Sequence, residues 1–426
     1  MGDLMRQYWI PALASGELPG PDCPPIRVRL LGENLIAFRA TSGTVGLIQN
    51  ACAHRGASLF FGRNEEDGLR CVYHGWKYDV AGQCVDMPNE PPESNPSASL
   101  RAGFKSKIRA VAYPCVERGG VVWTYMGPRA TLPPLPDLEP NMLPEGQYSV
   151  GVTLRECNWL QALEGDIDTS HLAFLHMGAL KLEDAAPGSF DRYIVADRAP
   201  RYHVVDTEFG TSYGGYRPAE ADTTYWRIAH FLFPFYTMIP TGALGVQIFV
   251  RAWVPADDEH VLVWALTAPR SRQGVNPSNT PGALAADRQA SGAPPGAGAQ
   301  FLPRTSDWLG RFRLKQNKEN DYLIDREEQR TRSFTGIAGI NQQDQAITES
   351  MGPITDHSKE HLGSSDVMII RTRRRLLGAA EALRKEDAVP PGVDNPEIYR
   401  VRSGGVVLPN GVDGLEATRD LQKAFV

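Results

Sequence analysis

The chain has 426 residues, 42 % hydrophobic and 22 % charged, with a formal net charge of −6. That length carries two to three domains' worth of sequence and an ample core, and the acidic balance argues against nucleic acid as a partner. No basic start leads into an apolar segment, so no secretory signal is expected, and six cysteines in so long a chain suit a reduced cytoplasmic protein better than a disulfide framework.

Residues 1–135 read as a β-rich unit. Alternating apolar positions run through Ile26–Arg39, Val45–Gln49 and Val121–Met126, punctuated by Gly32, Gly43, Gly46, Gly119 and Gly120. The Pro-rich stretch Pro128–Pro136 reads as a connection, so the chain divides into 1–135 and 136–426. The second unit opens near Tyr148 with a strand, followed by a helical segment over Asn158–Leu175. Strands dominate from Arg201 to Ala268. The longest apolar run, Phe231–Val250, is interrupted by Pro234, Pro240, Gly242 and Gly245; two buried strands joined by a turn fit it better than a membrane span. Residues 268–300 are rich in Pro, Gly, Ala, Ser and Asn without periodicity, a long mobile loop that is either a lid or simply disordered. Trp308–Thr331 is charged and helical in character, and a further helix is expected from near Asp366 to about Lys385. There is no internal repeat.

Two compact clusters carry the chemistry. In the first, Cys52-Ala-His54 and Cys71-Val-Tyr-His74 place one thiolate and one imidazole in each of two short segments. Four such ligands can hold a structural zinc or a Rieske [2Fe–2S] centre, with two Cys on one iron and two His on the other. Zinc fingers normally pair like ligands, whereas here each loop supplies one of each kind, which favours the cluster. Gly56, Gly62, Gly75 and Gly82 let backbone approach the sulfides, and Trp76 can shield them. Cys84 lies outside the pattern and reads as a buried structural thiol.

The second cluster is Glu164-Gly-Asp-Ile-Asp-Thr-Ser-His-Leu-Ala-Phe-Leu-His176. Asp168 and His171 share a helix face, but His171 and His176 lie about 140° apart on an ideal helix. Both reach one ion only if the helix distorts or ends between them. Non-haem iron favours two His and one carboxylate; the residues alone leave Asp321, Asp325 and Asp344 open as the third ligand.

Residues 52–76 resemble the Rieske motif, and the whole chain resembles the phthalate dioxygenase branch of the ring-hydroxylating oxygenases. Met5-Arg-Gln-Tyr-Trp9 and Glu349-Ser-Met-Gly352 extend the likeness nearly end to end. Such chains usually carry a short further segment before this start, so Met1 is expected to be an internal or trimmed start. The resemblance implies an α+β chain: an N-terminal all-β Rieske domain, then a helix-grip (START-like) catalytic domain whose antiparallel sheet grips a long helix. It selects Asp344 as the third ligand of one Fe(II), with His171 and His176. It makes Asp168 a bridge between a ligand histidine and the Rieske histidine of a neighbouring subunit, in a trimer or stacked trimers. The implied reaction is cis-dihydroxylation or monooxygenation with O₂ and electrons from NAD(P)H through a flavin/iron–sulfur reductase. The substrate pointed to is phthalate, hydroxylated at positions 4 and 5.

An aromatic carboxylate needs cations in an apolar pocket, and arginine matches carboxylate geometry. Arg227, inside an otherwise buried strand, and Arg198 are the candidates, with Arg251 third; Ser170 can add a hydrogen bond. Each arginine can equally be a structural ion pair. The alternatives are an electron-transfer Rieske protein, a helix-grip binding protein with structural zinc, and an oxygenase for chlorobenzoate or an O-methylated aromatic acid.

Overall fold

Three short glycine- or turn-punctuated sheets build the N-terminal unit. The computed structural model describes residues 1–90, 104–246, 248–268 and 300–424. Ile26–Leu30, Glu33–Arg39, Val45–Gln49 and Ala112–Tyr113 form one antiparallel sheet, and Arg63–Glu65, Gly68–Arg70, Lys77–Tyr78 and Cys84–Asp86 a second. A two-residue turn with both φ positive closes a hairpin in each: Leu31–Gly32 at 46° and 80°, Glu66–Asp67 at 49° and 56°. That backbone twist matches the strands it joins. The third sheet orders Trp9–Ala14, Val121–Tyr125 and Cys115–Arg118. Its tight turn requires Gly119 (φ 60°), where a Cβ would lie 2.3 Å from Asn141 Nδ2.

The C-terminal unit is an eight-stranded antiparallel sheet. Its main path runs Ser149–Arg155, Val261–Thr267, Phe249–Pro255, Tyr236–Met238, Thr223–Leu232, Gly210–Pro218 and Arg201–Asp206, while Gly404–Pro409 pairs with Thr223–Leu232. Three helices matter to the site: α1 (Trp159–Ile167), α2 (Ile340–Ser350) and α3 (Val367–Glu386). Asn158 caps α1 by accepting from the Leu160 N–H. Helix α3 begins and ends within a residue or two of expectation and packs against α1 and the Gly210–Pro218 strand.

The two units share a core. One cluster of buried side chains runs from Leu4, Trp9 and Trp123 through Leu138 and Val152 to Trp253, Trp264 and Leu376. Main-chain bonds reinforce it, from Leu31 N–H to Pro255 O (3.0 Å) and from Gly32 N–H to Ala256 O (2.8 Å). The change near residue 135 is therefore one of sheet membership across a shared core, and Ile36, Phe38, Leu59, Leu69 and Trp76 form a second core inside the N-terminal unit alone.

Several expectations need correction. Phe231–Val250 is not two strands. Thr223–Leu232 ends before Pro234, which has no N–H for the ladder, a three-residue strand Tyr236–Met238 follows, and residues 239–246 belong to no strand before the next one starts at Phe249. In Trp308–Thr331 only Arg326–Thr331 is α-helical; Lys318–Leu323 is a 3₁₀ turn with Asp321, Tyr322 and Leu323 left-handed. The expected helix over Asn158–Leu175 stops at Ile167, and Leu172–His176 forms a separate π-helical turn. Residues 269–299 of the expected loop lie outside the described residues. Among the described residues, no helix is long and apolar enough to cross a membrane.

Candidate metal centres

The two Cys–His segments fold as near copies of one turn. Cys52 N–H donates to Ala57 O and receives Gly56 N–H on its own carbonyl, both at 2.8 Å; Cys71 repeats this with Trp76 O (2.8 Å) and Gly75 N–H (3.0 Å). Gly56 and Gly75 supply the positive φ, 76° and 80°, and a Cβ on Gly75 would meet Pro88 at 2.5 Å. Both thiols are buried among Ile48, Leu59, Leu69 and Tyr78. The His54 and His74 rings lie 4.4 Å apart, and His54 stacks on Trp76 at 4.4 Å. Burial raises the Cys71 thiol pKa, opposed by the main-chain N–H groups of Tyr73 and His74. Tyr78 OH accepts from Ala53 N–H (3.2 Å), which leaves its own proton for Cys52 Sγ at 3.3 Å.

These residues fit a two-iron cluster. His54 Nδ1 is buried without a hydrogen-bond partner among the described residues, an orphan that a metal would satisfy. A single zinc needs four donors converging on one point. Among the described residues even three donors converge, within 4.8 Å of one another, only at His171, His176 and Asp344, not at the Cys–His turns. Cys84, whose thiol burial raises to about 11, donates to Asp86 O instead.

The second site is made by the π-helical turn. Met177 N–H bonds to Leu172 O, five residues back, and this widened turn brings residues five apart onto one face. His171 Nε2 and His176 Nε2 are 3.1 Å apart. Asp344 Oδ1, from α2, is 3.0 Å from His176 Nε2 and 3.6 Å from His171 Nε2. Burial pushes the Asp344 carboxyl up, but His176, His171 and Arg155 together hold it well below the usual range. Of the other acids left open, Asp325 caps Arg326–Thr331 and Asp321 sits in the left-handed turn.

Each ligand histidine has its own outer partner. Asp168 Oδ2 lies 3.5 Å from His171 Nδ1, and its Oδ1 accepts from Ser170 N–H (2.7 Å) and Ser170 Oγ (2.8 Å). On His176 the partner is Gln343, with Oε1 2.7 Å from Nδ1 and Nε2 donating to Ile337 O at 2.8 Å. Because Ile337 offers only an acceptor, the amide presents oxygen to His176. His176 Nδ1 therefore carries the proton and Nε2 keeps its lone pair toward Asp344. Glu349 anchors α2 by accepting from Tyr322 OH (2.5 Å), Gln345 Nε2 (2.9 Å) and Glu156 N–H (2.8 Å).

These ligands open onto a cavity of about 460 Å³, walled by Phe190, Tyr213, Ile239 and Phe249 with Arg227 and Arg251. Arg227 is 8 % exposed. Its Nε donates to Thr169 Oγ1 at 2.9 Å and its Nη1 to Tyr225 OH at 3.4 Å, and it forms no salt bridge among the described residues. Arg251 is paired in charge with Asp166 and also donates to Asn341 Oδ1 at 2.9 Å. Arg198 does not reach the cavity: it donates to the carbonyls of Ala173, Met177 and Leu180 behind the π turn. Ser170 does not line it either, its hydroxyl being spent on Asp168. Sequence reasoning missed Gln343 and Asp166. Both are ordinary polar residues whose partners only folding supplies.

Residues 8–111 match the Rieske [2Fe-2S] domain family, and residues 124–281 and 297–417 the LigXa C-terminal domain like family. The chain is 47 % identical to the 3-chlorobenzoate-3,4-dioxygenase oxygenase subunit of Comamonas testosteroni, over 97 % of this chain and 93 % of that one. It is 36 % identical to the phthalate 4,5-dioxygenase oxygenase subunit of Pseudomonas putida, over 100 % and 92 %. Its fold is similar to that of dicamba monooxygenase bound to dicamba, with a TM-score of 0.56 at 16 % identity over 88 % of this chain and 96 % of that one.

Proposed function

Because this chain belongs to the Rieske ring-hydroxylating oxygenases, as an oxygenase subunit with a [2Fe–2S] cluster and a mononuclear iron, we propose that it cis-dihydroxylates an aromatic monocarboxylate of the chlorobenzoate kind. The observation that carries this reading is Arg227: a buried guanidinium on the cavity wall that forms no salt bridge among the described residues, with Asp191 on the same wall close enough to feel its charge but not bonded to it. A buried unpaired cation is costly, and one substrate carboxylate would neutralise it. The rest of the wall is aromatic and aliphatic, as a ring requires.

When bound, the metals supply electron relay and O₂ activation, and the balance is arene, O₂, two electrons and two protons to one cis-diol. The electrons come from NAD(P)H through a flavin/iron–sulfur reductase. Cys52, His54, Cys71 and His74 would hold the cluster, and His171, His176 and Asp344 the mononuclear iron. Asp168 fixes the His171 ring and, in a ring of subunits, would bridge it to a cluster histidine of a neighbouring copy. Supporting such a homo-oligomer, Val72 and Tyr73 beside His74, and Ile347 on α2, are exposed apolar side chains.

The second reading is phthalate 4,5-dioxygenation, favoured by the relative of that activity and by the second arginine on the wall. Aerobic turnover of 3-chlorobenzoate, phthalate and O-methylated aromatic acids, with NADH, a matching reductase and product identification, tests both. A cis-diol from the monoacid supports the first reading; preference for phthalate or for a neutral aromatic overturns it.

A further inference from the structure

We infer that Asp166 is the specificity-determining residue that limits this cavity to one substrate carboxylate. The inference rests on the monocarboxylate reading above.

The cavity has two arginines, so by composition alone it should accept two carboxylates on one ring. Asp166 removes one of them from use. It stands at the end of α1, where Ile167 is the last helical residue, and its side chain is only 3 % exposed. One carboxylate oxygen takes Arg251 Nη1 and the other takes Thr237 Oγ1. Thr237 in turn accepts from Trp253 Nε1 at 2.8 Å, so the acid is held by two strands of the sheet and cannot swing away cheaply. Arg251 Nη2 is taken by Asn341 at 2.9 Å, and its guanidinium lies 5.0 Å from the centre of the Phe249 ring. The Arg251 charge is thus met inside the protein, with one N–H on each Nη already given to Asp166 and Asn341.

Arg227 differs in each respect. Its nearest partners, Thr169 Oγ1 and Tyr225 OH, are neutral hydroxyls. A second carboxylate on the ring would meet Arg251 with its charge already met by Asp166, on a wall that also carries Asp168 and, within the field of Arg227, Asp191. Like charges in a desolvated site disfavour the dianion, and this repulsive element sets specificity as much as the attractive one does.

The test is equilibrium binding of 3-chlorobenzoate and of phthalate to the oxidised, iron-loaded enzyme by calorimetry. The parent should bind the monoacid at least about tenfold more tightly than the diacid, the weight of one charge-assisted contact. Asp166→Asn should raise phthalate affinity about tenfold relative to 3-chlorobenzoate, and adding Arg251→Gln to it should erase that gain. The charge-balanced double variant should fold and reproduce the parent's ratio to within about threefold, because the pair contributes no net charge. A parent that binds phthalate as tightly as the monoacid overturns the inference, as does a gain that survives Arg251→Gln or a double variant with a ratio shifted tenfold. If the parent binds neither acid, the monocarboxylate reading itself fails and the inference falls with it.

Discussion

Replacing Gln343 by Leu should weaken Fe(II) binding at the mononuclear site without touching a ligand. Gln343 is buried, and its Oε1 is the partner of His176 Nδ1 at 2.7 Å. Leucine leaves that N–H without an acceptor beside a side chain that is 4 % exposed, and it strips Ile337 O of its donor. A buried polar group left unsatisfied costs about 1–3 kcal/mol. Loss of a partner that orients a metal-bound histidine weakens metal affinity by about ten- to a hundredfold, or roughly 1.4–2.8 kcal/mol. The two routes agree. The measurement is anaerobic Fe(II) titration of the iron-depleted mononuclear site against a chromophoric chelator, with cluster absorbance counting intact chains. Gln343→Glu keeps the acceptor and should recover part of the affinity. Parental Fe(II) affinity in the Leu variant would refute the reasoning, since His176 would then need no outer partner.

Arg227→Met should weaken aromatic carboxylate binding about ten- to a hundredfold while costing less denaturant stability than a broken ion pair, since Arg227 forms no salt bridge among the described residues. Arg251→Met, by contrast, strands Asp166 and should cost about 3–5 kcal/mol in urea unfolding; equal stabilities of the two variants would contradict the pairing described here. Burial holds His230 down at about 4 from a normal 6.5, with Ser212 Oγ and Arg402 O satisfying the neutral ring. The unfolded chain therefore binds the proton first, so stability should fall by about 3 kcal/mol as pH drops from 6.5 to 4, a loss that His230→Gln should remove from pH-dependent unfolding curves. Tyr78→Phe deletes the hydroxyl 3.3 Å from Cys52 Sγ and should lower the cluster's reduction potential, read by redox titration.

What the sequence disclosed was what local order encodes. Cys52, His54, Cys71 and His74 sit in two short turns whose glycines and spacing are contiguous. His171 and His176 are close enough that their angular mismatch itself foretold a distorted helix. The strand periodicity of Ile26–Gln49 and the limits of α3 follow from the same local rules. Asp344 was not legible without resemblance, because α2 inverts the usual pattern. Ile340 and Ile347 face outward while Gln342, Gln343, Gln345 and Glu349 are buried, so periodicity points the wrong face inward. The candidate arginines could not be ranked from sequence for a related reason. Whether a guanidinium is free depends on which acid or carbonyl folding brings beside it. Arg198 meets the π-turn carbonyls and Arg251 meets Asp166, and only Arg227 is left for a ligand. The helical reading of Trp308–Thr331 failed because charge content alone carries no information about the left-handed residues at 321–323.

The core shared by the two units has a thermodynamic consequence. Leu4, Trp9 and Trp123 pack in the same cluster as Trp253 and Leu376, while the cysteine turns sit on a second cluster with Ile36, Phe38, Leu59 and Trp76, so unfolding of one half strips interior from the other and the two are thermodynamically linked. Any ligand of one half then stabilises the other by mass action. Fe(II) loaded at the site proposed on His171, His176 and Asp344 should raise the temperature at which the cluster, proposed to be held by the Cys52 and Cys71 turns, loses its colour.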